Sequence, residues 1–280
     1  MIDIKNTYYT EQHWDGVASV RVFDSTACSR ALINTLRGRS GELAGRRVLD
    51  VGTGGGTLVI DLVRHGAEAV GIDVSSVGIE AASRNADAVL GVGEERARLR
   101  FLKMDAHSLE FASASFDVVT FLKAIWVLPD APACLAECHR VLAPGGRMVI
   151  QLWGDMEESE LLVVGSESVR KFVPSLEMPD GARSVFRYTP EYVEQLLADA
   201  GFSGFECTTY QARFEFSHAD AFWELFRSVA GTAYYAYASQ PAEVKKAISA
   251  AWEERSRLFR NDSGNVVLPL EWSIATAVKA

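Results

Sequence analysis

Residues 46–78 read RRVLDVGTGGGTLVIDLVRHGAEAVGIDVSSVG. The apolar run at Val48, Leu49 and Val51 stops at a cluster of glycines, 52, 54, 55 and 56, after which apolar residues recur at helical spacing. A short run rich in β-branched residues predicts a strand buried on both faces, and the glycines predict a tight turn into a helix. Gly66 closes that helix. AVGIDV (69–74) predicts a second strand ending near Asp73, and serine opens the helix that follows, SSVGIEAASRNADAVLG.

The same rhythm continues outward. ARLRFLKMD (97–105) and FDVVTFL (116–122) predict a third and a fourth strand. PDAPACLAECHRVL (129–142) predicts a helix, and PGG turns the chain into a fifth strand, RMVIQLWG (147–154). Strands alternating with helices of this length imply a doubly wound α/β fold. After residue 188 the order changes. TPEYVEQLLADAGF (189–202) predicts a helix capped by Thr189 with Pro190 in its first turn. FECTTYQARFEF (205–216) and VVLPLEWSIATAVK (266–279) alternate as strands, with mostly helical chain between them. The expected organisation is a helical N-terminal cap segment (1–42), a core (43–154), an insertion or lid without clear periodicity (155–187), and the rest of the sheet (188–280) carrying a helical cap insertion (217–262).

Composition bounds the partners. The 280 residues carry a formal net charge of −9, with 48% hydrophobic and 23% charged residues. That balance suits a globular chain and lacks the basic footprint of a nucleic-acid surface. The start, MIDIKNTYYTEQHWDG, lacks the layout of a secretory signal, and no stretch approaches the ~18 apolar residues of a membrane span. A cytoplasmic protein is expected, monomeric or homodimeric, without nucleic-acid or membrane partners. The 4 cysteines read as reduced thiols. Cys134 and Cys138 share a helix face beside His139, open either to a soft metal or to plain helix packing; no metal site is expected.

The glycine turn points to a ligand. Bare backbone at the carboxyl end of a strand lets a ligand approach closely. Asp73 follows Gly52 at a spacing that suits a carboxylate holding ribose hydroxyls; the competing role is a cap on the next helix. The register is G-x-G-x-G; Thr57 stands where a dinucleotide fingerprint needs glycine. Asp50 would repel a pyrophosphate yet can face a cationic amino-acid group, and Asp105 can accept from an adenine amino group. An ammonium, a ribose and an adenine together describe S-adenosylmethionine.

VLDVGTGGG, AVGIDVS, MDAHSLEF, FDVV and ECHRVLAPGGRMVI, in that order, resemble the successive motifs of Rossmann-like (class I) S-adenosylmethionine-dependent methyltransferases. The nearest flavour is that of the ubiquinone/menaquinone-biosynthesis and natural-product small-molecule enzymes. The resemblance implies a seven-stranded sheet of order 3-2-1-4-5-7-6 with the last strand antiparallel. It also implies S-adenosyl-L-methionine as methyl donor and S-adenosyl-L-homocysteine as product. Carried over, Gly52, Thr53 and Gly54 would line the methionine side, with Asp50 orienting the loop near the amino group. Asp73 would hold the ribose, Val74 would lie against the adenine, Asp105 and Ala106 would meet its edge, and Leu122 would offer its carbonyl to the ammonium. Asp117 reads as a strand-start residue and is left out of the site.

The sequence departs from many relatives after the fourth strand. TFLKAIWVLPD places Trp126 and Val127 where they carry histidines, and it lacks the NPPY-type sequence of nucleic-acid amine methylation. Lys123 there either faces the substrate or is solvated. No residue declares itself catalytic. His13, in an aromatic stretch that often closes over the methionine end in this family, is the one candidate base; surface and capping roles compete for it. His107 fits the cofactor rim, His65 a helix end and His218 a helix start. Aromatic residues from the N-terminus, the strand ends and the late insertion (among them Tyr9, Trp14, Trp126, Trp153 and Trp223) suggest a pocket for a sizeable apolar or aromatic acceptor, or simply pack the cap. The expected function is methyl transfer to oxygen, carbon or nitrogen of such a metabolite, in secondary metabolism. Two alternatives are a fold that keeps the cofactor while promoting a cyclisation or rearrangement, and a nicotinamide dehydrogenase, which Thr57 and Asp50 disfavour.

Overall fold

The apolar run that opens the reading becomes the centre of a sheet. In the computed structural model, which describes residues 8–20, 27–40, 43–174, 176 and 184–280, Val48, Leu49, Asp50 and Val51 are all buried. The expectations for 1–7, 21–26, 41–42, 175 and 177–183, and for the side chains of Ala27 and Cys28, lie outside the described residues. Two helices come first, α1 (Glu11–Val20) and α2 (Ala27–Ser40). Then follow β1 (Arg47–Val51), α3 (Thr57–Arg64), β2 (Glu68–Asp73), α4 (Ser76–Leu90), the short α5 (Glu94–Ala97), β3 (Leu99–Lys103) and β4 (Phe116–Phe121). Next come α6 (Ala131–Val141), β5 (Leu142–Trp153), α7 (Glu160–Arg170), α8 (Pro190–Asp199) and β6 (Phe202–Phe216). The chain ends with α9 (Ala219–Val229), α10 (Gly231–Ala238), α11 (Ala242–Arg255) and β7 (Val266–Lys279).

The seven strands lie in the order β3-β2-β1-β4-β5-β7-β6, as the resemblance implies. β1 pairs in parallel with β2 on one side and β4 on the other, so the chain's direction of winding reverses between β1 and β4. At such a switch point the loops leaving the two strands diverge and open a crevice. Asp117 is a strand-end tie, accepting from Arg47 N at 2.9 Å and Arg47 Nη2 at 2.9 Å. β5 begins earlier than expected: Phe116 pairs with Leu142 and Val118 with Arg147, so residues 143–146, including the PGG, bulge out of the ladder.

β7 runs antiparallel between β5 and β6. Its pairing with β5 ends at Trp153 opposite Trp272, whereas its pairing with β6 continues to Phe216 opposite Val266. The β6–β7 ribbon therefore projects beyond the carboxyl end of β5, on the edge where the crevice opens. The three helices it carries, α9 to α11, form a cap there around Phe222, Phe226 and Trp252, all fully buried. Phe222 lies 4.8 Å from Trp252 and 5.1 Å from Phe226, ring centre to ring centre.

The helix α7 stands inside the segment for which no periodicity is evident. Its apolar residues come as an unbroken run, Leu161 to Val164, which cannot distinguish a strand from a buried helix. Tertiary packing decides it: Gly165 faces the rings of Phe226 and Phe222 with no room for a side chain. Predicted helix caps form as well. Ser75 Oγ accepts from Gly78 N at 2.9 Å, and Thr189 Oγ1 accepts from Tyr192 N at 3.3 Å.

Because Phe222 is the hub of the cap, Phe222→Ala is expected to lower the unfolding free energy by about 3–5 kcal/mol, measured by urea denaturation. A loss under about 1 kcal/mol would mean that the ribbon, and not the aromatic cluster, holds the cap in place.

Candidate functional site

The glycine turn folds into a cradle of backbone. Gly52 has φ +71 and Gly56 φ +80, a region that side chains rarely adopt. A Cβ on Gly52 would lie 2.6 Å from the Ala124 Cβ, and one on Gly56 2.8 Å from the Phe101 ring, so sterics also exclude one. The Asp73 carboxylate organises the turn from the neighbouring strand. Its Oδ2 accepts from Gly54 N at 2.8 Å and its Oδ1 from Ser75 N at 2.9 Å. The cap of α4 itself is Ser75, which frees Asp73 for the turn. Thr53 N donates to Ile72 O at 2.9 Å, tying the same two loops again.

Asp50 lies behind this cradle. It is 1% exposed and its Oδ1 accepts from Thr120 Oγ1 at 2.7 Å. Burial pushes its carboxyl up to about 7, against the opposing pull of the Thr120 hydroxyl.

In front of the cradle is a cleft of about 820 Å³, counted with its open mouth. Of the expected cofactor residues, Gly52, Thr53, Gly54, Asp73 and Leu122 line it. Val74, Asp105 and Ala106 do not reach its wall. Asp105 is exposed and faces His107, with the His107 N–H at 2.9 Å and Nδ1 at 2.7 Å from its Oδ1. Ala106 is buried.

The helix α1 roofs the cleft, contributing Trp14, Val17 and Ala18. Asp15 accepts from Ser75 Oγ at 2.6 Å and from Val77 N at 3.1 Å, so its charge sits at the amino end of α4, where a carboxylate is favoured. Glu11 accepts from Ser76 Oγ at 2.7 Å and pairs with Lys103 at 2.6 Å. Neither residue is a candidate from sequence. Their spacing puts Glu11, Trp14, Asp15 and Ala18 on one helical face, but nothing local says what that face meets. Asn85 is a second omission; its Nδ2 donates to Gly55 O at 3.0 Å from the middle of α4.

A larger cavity, about 1450 Å³ with its mouth, adjoins the cleft. Both share Trp14, Val17 and Lys123. Trp126 and Trp153 form one wall, 6.1 Å apart, and Tyr8, Leu162, Phe186 and Val229 contribute to the others. So of the expected acceptor residues the structure gathers Trp14, Lys123, Trp126 and Trp153 here. Tyr9 is exposed, and Trp223 belongs to the cap interior, stacked on Tyr237 at 4.3 Å with its indole N–H donated to Ser249 Oγ at 3.0 Å. His13 lines neither cavity. It is buried, its Nε2 is 3.4 Å from Thr232 Oγ1, and burial lowers its pKa to about 4.

Cys134 and Cys138 are both buried in α6. Among the described residues no group of three or more metal-ligating side chains gathers, and no helix is long and apolar enough to cross a membrane.

Residues 49–150 match the family described as "Methyltransferase domain". The demethylmenaquinone methyltransferase of Thermus thermophilus is 33% identical over 174 residues, 58% of this chain and 76% of that protein. The chain belongs to the class I S-adenosylmethionine-dependent methyltransferases. The ubiquinone biosynthesis O-methyltransferase of Psychrobacter arcticus is also 33% identical, over 164 residues, 58% of this chain and 60% of that protein. The chain thus spans about 60% of the length of that curated relative. A phosphoethanolamine N-methyltransferase of Haemonchus contortus, solved with phosphomonomethylethanolamine and S-adenosylhomocysteine, shares the fold. It covers 99% of this chain and 59% of its own, with 19% identity and a TM-score of 0.57.

The residues present fit the cofactor of this methyltransferase family. The cleft offers backbone where a Cβ would clash, a carboxylate at the second strand end and a buried carboxyl beneath. Two outcomes follow. Asp73→Ala removes a charged acceptor, and S-adenosylhomocysteine affinity, measured by calorimetry, is expected to fall roughly tenfold to a few hundredfold. Asp50 holds its proton more tightly folded than unfolded. Its stabilising contribution is therefore complete below a pH of about 4 and lost as pH rises to about 7. Asp50→Asn keeps an acceptor for Thr120 but cannot ionise, so the variant's melting temperature relative to the parent should rise from about pH 5 to about pH 8. A flat difference would mean that Asp50 is ionised throughout.

Proposed function

We propose that the protein transfers a methyl group from S-adenosylmethionine to an oxygen, carbon or nitrogen of a small apolar or aromatic metabolite in secondary metabolism. The observation that carries this reading is the shared wall. A cleft with a carboxylate and bare backbone shares Trp14, Val17 and Lys123 with an aromatic-walled cavity. One compartment suits a zwitterionic nucleoside and the other a flat apolar molecule, and they meet at one seam.

When bound, S-adenosylmethionine supplies a methyl carbon made electrophilic by the positive charge on its sulfur. Asp73, Gly52, Thr53, Gly54 and Leu122 would hold it from the cleft wall, and Asp50 would support the loop from beneath. Val74, Asp105 and Ala106, which do not line the cleft, are given no contact in this reading. Trp14, Trp126 and Trp153 would orient the acceptor, with the segments 155–187 and 217–262 acting as the cover that keeps water out. Alignment of the two reactants is the main contribution asked of such a site. His13 is given no part in the transfer: it lines neither cavity, and its Nε2 lies 3.4 Å from the hydroxyl of Thr232, a residue of the larger cavity's wall. The matches to quinone-biosynthesis methyltransferases support a quinone-like aromatic acceptor as one member of this class.

The test is incubation with methyl-labelled donor and a pool of candidate aromatic metabolites, read by mass spectrometry. Labelled product together with acceptor-dependent S-adenosylhomocysteine is expected. An acceptor that is rearranged while the bound donor stays intact would sink the transfer reading in favour of cyclisation.

A further inference from the structure

The roof of the smaller cleft is fastened by a carboxylate that does not itself line the cleft. Helix α1 places Trp14, Val17 and Ala18 in the cleft wall. Asp15, next in the chain to Trp14, reaches the first turn of α4 instead. Its Oδ1 accepts from Ser75 Oγ at 2.6 Å and from Val77 N at 3.1 Å. The first N–H groups of a helix have no partner within it. Ser75 Oγ accepts the one at Gly78, and Asp15 accepts the one at Val77 from 62 positions away in the chain. The helix α4 is thus capped twice, once by its own serine and once by the roof.

Ser75 joins this second cap to the cleft. Its backbone N–H donates to Asp73 Oδ1 at 2.9 Å, and Asp73 Oδ2 accepts from Gly54 N at 2.8 Å. A single serine, 2% exposed, therefore stands between the carboxylate of the cleft and the carboxylate of the roof. The run Gly54–Asp73–Ser75–Asp15 is continuous, and each of its three contacts has a carboxylate as acceptor. Hydrogen bonds of that kind are roughly twice as strong as neutral ones.

The other polar tie of α1 is weaker. Glu11 accepts from Ser76 Oγ at 2.7 Å and pairs with Lys103 at 2.6 Å, but the Lys103 and Glu11 side chains are 51% and 39% exposed. Water and salt screen such a pair, so it contributes little. Against the cap, the Tyr235 ring fills the place where a side chain on Gly16 would stand. So α1 is packed on the cap side and bonded on the α4 side, and Asp15 makes the bond whose partner is buried.

We infer that Asp15 is a positioning residue for the methyl donor. Through Ser75 it fixes Trp14, Val17 and Ala18 over the cleft that Asp73 lines, and so sets how tightly the donor is held. The inference rests on the reading of the smaller cleft as the cofactor site. It requires no contact between Asp15 and the cofactor.

The test is calorimetric titration with S-adenosylhomocysteine, with urea denaturation of each protein beside it. The proteins are the parent, Asp15→Ala, Asp15→Asn, Ser75→Ala, the Asp15→Ala, Ser75→Ala double variant, Glu11→Gln and Asp73→Ala. Asp15→Ala is expected to weaken binding about tenfold, as loss of a hydrogen bond to a charged group does. Asp15→Asn keeps an acceptor for Ser75 Oγ and Val77 N and should recover most of that loss. Because Asp15 and Ser75 act through one bond, the double variant should bind more tightly than the product of the two single losses requires. Glu11→Gln should change affinity by less than about twofold. The inference is overturned if Asp15→Ala binds as the parent does, even with a lowered urea midpoint, since Asp15 then only stabilises the fold. It is also overturned if Asp15→Asn recovers nothing, if the two single losses multiply in full, or if Glu11→Gln costs as much as Asp15→Ala. The cofactor reading fails separately, by absent binding in the parent or by unchanged binding in Asp73→Ala.

Discussion

The Asp73 carboxylate is the interaction on which the site depends. It gathers the backbone N–H groups of Gly54 and Ser75, which belong to two different strand-to-helix turns, onto one side chain. Without that acceptor the two turns have no charged group in common, and the Thr53 N–Ile72 O bond is left to tie them. The carboxylate is therefore structural before it is a ligand contact. A hydrogen bond to a charged group is also the strongest kind available to a half-buried loop. Asp50 complements it from below. Being buried at the start of the same turn, it accepts the Thr120 hydroxyl's hydrogen bond there.

The second constraint is the length of the β6–β7 ribbon. Because it outruns β5, the cap helices are delivered to the carboxyl edge of the sheet and nowhere else. Phe222, Phe226 and Trp252 turn those helices into a unit, and Gly165 lets α7 lie directly on it. The larger cavity is what remains between this cap, the Trp126–Trp153 wall and the N-terminal roof. Its aromatic lining, Tyr8, Trp14, Trp126, Trp153 and Phe186, comes from outside the cap, which contributes the small and aliphatic residues 229–233.

What the sequence made legible follows from locality. The change of period at residues 47–57, the glycine turn, Asp73 at the next strand end and the caps at Ser75 and Thr189 are each decided by neighbours in the chain, and the fold they imply is the one observed. Long-range placement was not legible. The run at Leu161–Val164 has no period until Phe226 packs against Gly165. Trp14 and Trp223 are both aromatic residues in helical stretches, yet one faces the seam and the other stacks inside the cap on Tyr237. Asp15 is an unremarked acidic residue until Ser75, 60 positions away, turns out to be its partner. Asp105 lies two residues past the end of the third strand, and its carboxylate is taken up by His107.

The roof helix joins these features. Its lower face is fastened to α4 through Asp15 and Glu11, and at Gly16 it has no side chain where Tyr235 of the cap presses against it. Trp14 and Val17, on that same helix, are wall to both compartments. The two chambers therefore share a door. A displacement of α1 would alter both compartments at once, because Trp14 and Val17 are wall to each.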